Sequence, residues 1–116
     1  MSVVIYHNPR CSKSRETLAL VEAQDVTPEI VKYLDETPSV ATLKTLFSQL
    51  GFTSVRDMMR TKEAEYKEQN LEDSSVSDEQ LFEAMVQTPK LIERPIVVHG
   101  NQAKIGRPPE QVLEIL

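Results

Sequence analysis

The first 34 residues hold a β-branched run, a helical pattern and a second β-branched run. That alternation limits the fold more than any other feature of the chain. Val3, Val4 and Ile5 make Ser2–Tyr6 read as a short buried strand. His7-Asn8-Pro9-Arg10 breaks it, with Pro9 as the punctuation. A helical pattern opens near Cys11 and runs to about Ala23, with Thr17, Leu18 and Val21 along one face and Ser12 or Ser14 available to cap its first turn. After a connection, Ile30-Val31-Lys32-Tyr33-Leu34 predicts a second strand over Glu29–Leu34. Strand, helix and strand in so short a span make a βαβ unit, whose strands run parallel.

The middle of the chain reads as helical. Ser39 caps a helix with Val40, Leu43, Leu46, Phe47 and Leu50 at helical spacing, and Gly51 stops it. A short helical turn is expected around Val55–Arg60. Thr61–Ser75 is polar and reads as a solvated helix plus loop. Ser77-Asp78-Glu79-Gln80 is a capping box for a helix carrying Leu81, Phe82, Met85 and Val86, which ends before Pro89. Pro95-Ile96-Val97-Val98 is then a strand. His99-Gly100-Asn101-Gln102 turns it back, and Ala103–Gly106 returns as the second arm of a β-hairpin. Pro108-Pro109-Glu110 opens a last helix with Val112, Leu113 and Leu116 inward. The predicted class is α/β: βαβ, three or four helices, then ββα. Residues 1–116 are expected to form one domain, with about 39–88 as a helical insertion between two sheet-forming halves.

Composition removes several function classes. A net charge of −5 disfavours non-specific nucleic-acid binding, which needs a positive surface. Any anion site must therefore be built locally from arginines and backbone N–H groups. A single cysteine excludes an intramolecular disulfide and so a secreted disulfide scaffold. No stretch approaches the roughly 20 apolar residues of a membrane helix, and Met1–Tyr6 lacks the pattern of a signal peptide. A cytoplasmic protein is the expectation.

That cysteine, Cys11, stands between a strand and the start of a helix. Unpaired N–H groups and the positive end of the helix dipole favour a thiolate there. His7, Arg10 and Arg15 are close in sequence and could add positive charge. The spacing Cys11-Ser12-Lys13-Ser14 is C-x-x-S, so Cys11 has no second thiol with which to close a disulfide. Turnover would need an outside thiol to resolve whatever adduct forms. A phosphatase-type loop is excluded, since an arginine would be required at position 17 and the residue is Thr17.

The stretch His7-Asn8-Pro9-Arg10-Cys11-Ser12-Lys13-Ser14-Arg15 with Thr17-Leu18 resembles the active-site opening of the ArsC family, the glutaredoxin-linked arsenate reductases. The resemblance continues through Ser54–Arg60, Leu91–Val98 and Gly106-Arg107-Pro108, so it covers essentially the whole chain in order. It implies a thioredoxin-like fold with a helical insertion and a cis Arg94–Pro95 bond. It also implies that Arg60, Arg94 and Arg107 bind the oxyanion. Three guanidiniums can hold a tetrahedral anion by paired N–H···O bonds.

The activity so implied is arsenate reduction. The Cys11 thiolate attacks arsenate to form a thiol–arsenate adduct, which glutathione and glutaredoxin resolve to give arsenite. Ser14 is expected to hydrogen-bond the thiolate, and His7 to stabilise it electrostatically or to hold the strand end. Arg15 is a further catalytic candidate. No bound cofactor or metal is expected, and glutathione serves as an external reductant; the protein is expected to be a monomer. Two alternatives remain open: a glutathione-dependent thiol oxidoreductase with another substrate, and an Spx-like regulator that binds RNA polymerase. The regulators typically carry C-x-x-C, and Ser14 argues against that switch.

Overall fold

The computed structural model describes residues 2–116. The chain divides into two compact units. One comprises the residues up to Glu36 together with Arg94–Leu116, and the other Thr37–Glu93.

The first unit holds a four-stranded sheet. Its strands are β1 (Val3–Tyr6), β2 (Glu29–Val31), β3 (Ile96–His99) and β4 (Gln102–Ile105), in the spatial order β2-β1-β3-β4. β1 and β2 are parallel, with Ile5 opposite Ile30, and are joined through helix α1 (Ser12–Glu22). This is the expected βαβ unit. β3 runs antiparallel to β1, with Ile5 opposite Val97, and β4 antiparallel to β3. The hairpin closes through the two residues Gly100 and Asn101. Gly100 has φ 64°, the left-handed value that the first position of such a turn requires and that glycine adopts at no steric cost.

One face of the sheet supplies Val3, Ile5 and Val97 to a core completed by Val21 of α1 and by Val112 and Ile115 near the C-terminus. Leu18, Val26 and Leu116 pack around it. The last segment departs from expectation. Pro109–Ile115 is a 3₁₀ helix, not an α-helix. Pro109, Val112 and Ile115 are buried at every third residue, which is the 3₁₀ period, and Leu113 is 40% exposed. Reading the segment with the α-helical period had put Leu113 inside.

β2 is also shorter than expected. It ends at Val31 because the chain turns at once: the N–H groups of Asp35 and Glu36 both donate to the carbonyl of Lys32. The returning arm of the hairpin runs Gln102–Ile105, one residue earlier than predicted.

The second unit contains α2 (Val40–Leu50), α3 (Ala64–Glu68) and α4 (Asp78–Gln87), with 3₁₀ turns at Val55–Met58 and Pro89–Leu91. Ser39 Oγ accepts from the N–H of Thr42 at the start of α2, and Gly51 ends it at φ 74°. At α4 the capping box is complete: Ser77 Oγ accepts from Gln80 N–H, and Gln80 Oε1 accepts from Ser77 N–H. Leu43, Leu46, Met58, Leu81, Met85 and Leu91 form the buried interior of this unit, and Phe47 meets Phe82 edge-on at 6.0 Å.

The stretch predicted to be solvated is only partly so. Tyr66 and Leu71 are buried. Arg56 donates to the carbonyls of Leu71 and Asp73 and to the Tyr66 hydroxyl, which ties the loop down. Among the described residues, no helix is long and apolar enough to cross a membrane.

Candidate active site

Cys11 is the N-cap of α1, with φ −95° and ψ 125°. The expectation that Ser12 or Ser14 caps this helix is corrected: Ser12 is the first residue of the helix and Ser14 the third. The turn that delivers Cys11 is built locally. Its N–H donates to the carbonyl of Asn8 at 3.0 Å, while Asn8 Oδ1 accepts from the N–H of Arg10. Asparagine commonly folds its side chain onto the backbone two residues on, which fixes such turns. The proline at position 9 supplies the preset φ.

Cys11 is a free, partly exposed thiol. Burial pushes its pKa up. The backbone N–H of Ser14, the Arg94 guanidinium, the backbone N–H of Lys13 and the Arg107 guanidinium push it down, in that order of strength. The lowering influences prevail, and the thiol lies below its ordinary value. Cys11 closes no capping hydrogen bond of its own, so the two N–H groups act on the sulfur as nearby dipoles.

Arg94 and Arg107 reach this site from the other end of the sequence. Arg94 leads into β3 through the cis bond Arg94–Pro95, and Arg107 follows β4 through a second cis bond, Arg107–Pro108. The first was implied by the family resemblance. The second was not foreseen, although the repeated Arg-Pro pair was visible. Arg107 Nη2 lies 3.6 Å from Cys11 Sγ, and Arg107 Nε donates to the carbonyl of Arg94 at 2.8 Å. One arginine thus fixes the backbone of the other.

Gly106 allows this approach. A Cβ there would collide with Thr17 Oγ1 and come within 2.9 Å of Pro95 Cγ. Thr17 is fully buried, and its hydroxyl donates to the carbonyl of Lys13 inside α1. The glycine therefore lets the end of β4 and the cis-proline close on the first turns of the nucleophile's helix. Sequence reading missed this role, because a single glycine before Arg-Pro reads only as a strand end.

Three other candidates have partners of their own, and for His7 the geometry favours the second of its two expected roles, holding the strand end. Ser14 is completely buried, and its Oγ accepts from Asn8 N–H at 3.0 Å and lies 2.7 Å from His7 Nδ1. The backbone N–H of Ser14, not its hydroxyl, lowers the thiol pKa. His7 is also buried, and its pKa is pushed below the ordinary value, first by desolvation and then by Lys32 and Arg15. A neutral imidazole supplies no cation to the thiolate. The geometry instead joins His7 to Ser14 as a brace between the end of β1 and the start of α1. Arg15 Nη1 donates to the carbonyl of Pro9 at 3.0 Å and so pins the loop.

Arg60 belongs to the second unit. Its guanidinium is ion-paired with Glu63, and Lys90 lies 3.5 Å from the same carboxylate and 3.3 Å from Glu65. The Arg60 N–H donates to the carbonyl of Leu91, beside a bridge between Met59 and Ile92.

A lone thiol with a depressed pKa beside two guanidiniums is equipped for nucleophilic attack on an anion. Comparison with known proteins points the same way. Residues 6–115 match the ArsC family. An arsenate reductase of Haemophilus influenzae is 55% identical over 116 residues, all of both chains. An arsenate reductase of Escherichia coli is 40% identical over 115 residues, 99% of this chain and 81% of that one. The solved structure of an arsenate reductase from Vibrio cholerae superposes with a TM-score of 0.99 at 66% identity, covering 100% of this chain and 98% of that one. The sheet order and the cis-proline before β3 are those of the thioredoxin-like fold, here with helices inserted in the chain. With the match running from Tyr6 to Ile115, the chain belongs to the ArsC family.

Proposed function

We propose that this protein reduces arsenate to arsenite, with Cys11 as the nucleophile and glutathione and glutaredoxin as the source of electrons. The observation that carries the reading is the Cys11 thiol, held below its ordinary pKa with the Arg107 guanidinium 3.6 Å away. The names of the family relatives favour arsenate as the oxyanion.

In the first step the thiolate attacks arsenic, a sulfur–arsenic bond forms, and hydroxide leaves, taking up a proton to depart as water. Arg94 and Arg107 offset the negative charge that this attack concentrates. In the second step a glutathione thiolate attacks the Cys11 sulfur. A sulfur–sulfur bond forms and the sulfur–arsenic bond breaks. Its electron pair stays on arsenic, so As(V) becomes As(III). Two thiols have then become one mixed disulfide, which a glutaredoxin thiol reduces by exchange. The need for an outside thiol follows from the single cysteine. A reducing cytoplasm is the setting in which such a thiol persists. The resemblance adds Arg60 as a third anion ligand, which Arg60→Ala tests through the KM for arsenate.

The deciding experiment is a coupled assay with arsenate, glutathione, glutaredoxin, glutathione reductase and NADPH. Arsenate-dependent NADPH oxidation is expected for the wild-type protein and none above background for Cys11→Ser. Turnover that survives in Cys11→Ser overturns the reading.

A further inference from the structure

Backbone hydrogen bonds set Arg60, Glu63 and Lys90 beside one another. The Glu63 N–H donates to the carbonyl of Arg60 at 3.2 Å, and the Arg60 N–H donates to the carbonyl of Leu91 at 2.8 Å. The Met59–Ile92 bridge and the Glu93 N–H on the carbonyl of Met58 join the same two stretches. With the backbone held in this way, rearrangement among the three residues falls to their side chains.

Glu63 stands at the N-cap of α3, yet its side chain makes no capping hydrogen bond. Its two oxygens are turned to cations instead. Oε1 pairs with Arg60 Nη2, and Oε2 lies 3.5 Å from Lys90 Nζ. The Arg60 and Glu63 side chains are only 21% and 20% exposed, whereas Lys90 is 50% exposed.

A carboxylate offers a guanidinium two oxygens, as one edge of a tetrahedral oxyanion does. Glu63 therefore fills in advance a contact that an anion on Arg60 would make. An anion bound there beside Glu63 would set like charges against each other, which disfavours their staying together. Lys90 gives the displaced carboxylate a partner. Its ammonium carries three donors, and Glu65 Oε2, 3.3 Å away, needs one of them.

We propose that Glu63 is a tethered competitor for the oxyanion: it holds Arg60 in the empty protein and shifts to Lys90 when an anion takes Arg60. The apparent affinity is then the intrinsic one reduced by the fraction of molecules in which Arg60 has been released. Glu63 thus sets the concentration at which the site fills, by the same factor for any tetrahedral oxyanion. The proposal rests on the reading of Arg60 as an anion ligand and takes nothing from the reduction chemistry.

The test is calorimetric titration of the intact chain with arsenate and, separately, with inorganic phosphate, in the absence of any thiol. Glu63→Gln is expected to tighten the Kd for both anions about fivefold, and Glu63→Ala at least as much. Arg60→Ala is expected to weaken both, and adding Glu63→Gln to it to change nothing further. Lys90→Gln removes the alternative partner and is expected to weaken binding about threefold, an effect that disappears in the Glu63→Gln background. In turnover, Glu63→Gln lowers KM for arsenate and leaves kcat unchanged, because the competition ends before the chemistry begins.

Weaker binding by Glu63→Gln would make Glu63 a support that orients Arg60. Tightening that persists in the Arg60→Ala background would be a general gain of positive field. Either result overturns the proposal, and so does an unchanged Kd. An Arg60→Ala variant that binds as the wild type does removes Arg60 from the anion site and overturns the proposal together with its premise. The titrations need no turnover, so a protein that binds both anions without reducing arsenate fails the function reading alone.

Discussion

Arg107 Nη2 stands 3.6 Å from Cys11 Sγ across 96 residues of sequence. Its Nε meanwhile holds the carbonyl of Arg94. The two arginines therefore act on the thiol as a linked pair. Arg107→Ala removes a cation from beside a thiolate, so the Cys11 pKa is expected to rise. The pH dependence of alkylation by iodoacetamide measures it, and a profile that does not move upward removes Arg107 from the site.

Arg94, like Arg107, pushes the Cys11 pKa down by its charge. Arg94→Ala is expected to lower kcat/KM for arsenate about 10²- to 10³-fold, the loss found when one donor to a developing anion is deleted. An unchanged kcat/KM would exclude it from the reaction.

Ser14 separates the work of a backbone from that of a side chain. Ser14→Ala keeps the N–H that lowers the thiol pKa, but strips a buried partner from Asn8 N–H and His7 Nδ1. The expected result is a loss of about 1–3 kcal/mol in stability, read from urea unfolding, with an alkylation profile close to wild type. A large upward shift of that profile would mean that the hydroxyl itself holds the thiolate.

His7 links stability to pH. Its folded pKa lies below the ordinary imidazole value, chiefly through desolvation. Between the two values the unfolded chain binds more protons than the folded one, so stability rises with pH. The contribution is fully present above the unfolded value, about 6.5, and is lost as pH falls through it toward the folded value. Urea midpoints at pH 7 and 5.5 should differ for the wild type and differ less for His7→Gln, which keeps a polar group but does not titrate. Equal pH sensitivity in the two proteins would contradict this.

Gly106→Ala places a methyl group against Thr17 and Pro95. Overpacking of this kind costs about 1–3 kcal/mol. The double variant Thr17→Ala/Gly106→Ala removes the Thr17 atoms that the new methyl meets. It is expected to be more stable than the sum of the single changes requires, as sites in contact are not additive. Strict additivity in thermal unfolding would show that the two residues do not share this contact.

Much of the fold was legible because its signals are local. The first β-branched run, the capping box at Ser77 and Gln80, and Gly51 as a helix stop each depend on neighbours in sequence, and each stands where expected. The errors came where packing overrides a local period. Pro109–Ile115 takes the 3₁₀ repeat that buries Val112 and Ile115 against the sheet, and β2 stops at Val31 because the chain turns on Lys32. Tyr66 and Leu71 are buried inside a stretch whose composition is polar.

By itself the sequence determined that Cys11 is a lone thiol at a helix start, since one cysteine between a strand signal and a helix signal permits little else. With no second cysteine in the chain, it also excluded an intramolecular disulfide as a partner for that thiol. Tertiary structure alone decided how the thiol is held. The Ser14 N–H, Arg94 and Arg107 act on it through space, and Gly106 admits the strand end that brings the two arginines in. His7 and Arg15, its neighbours in sequence, serve instead to brace the loop. Electrostatic influence depends on distance and burial in the folded chain, and separation along the sequence is a poor guide to either.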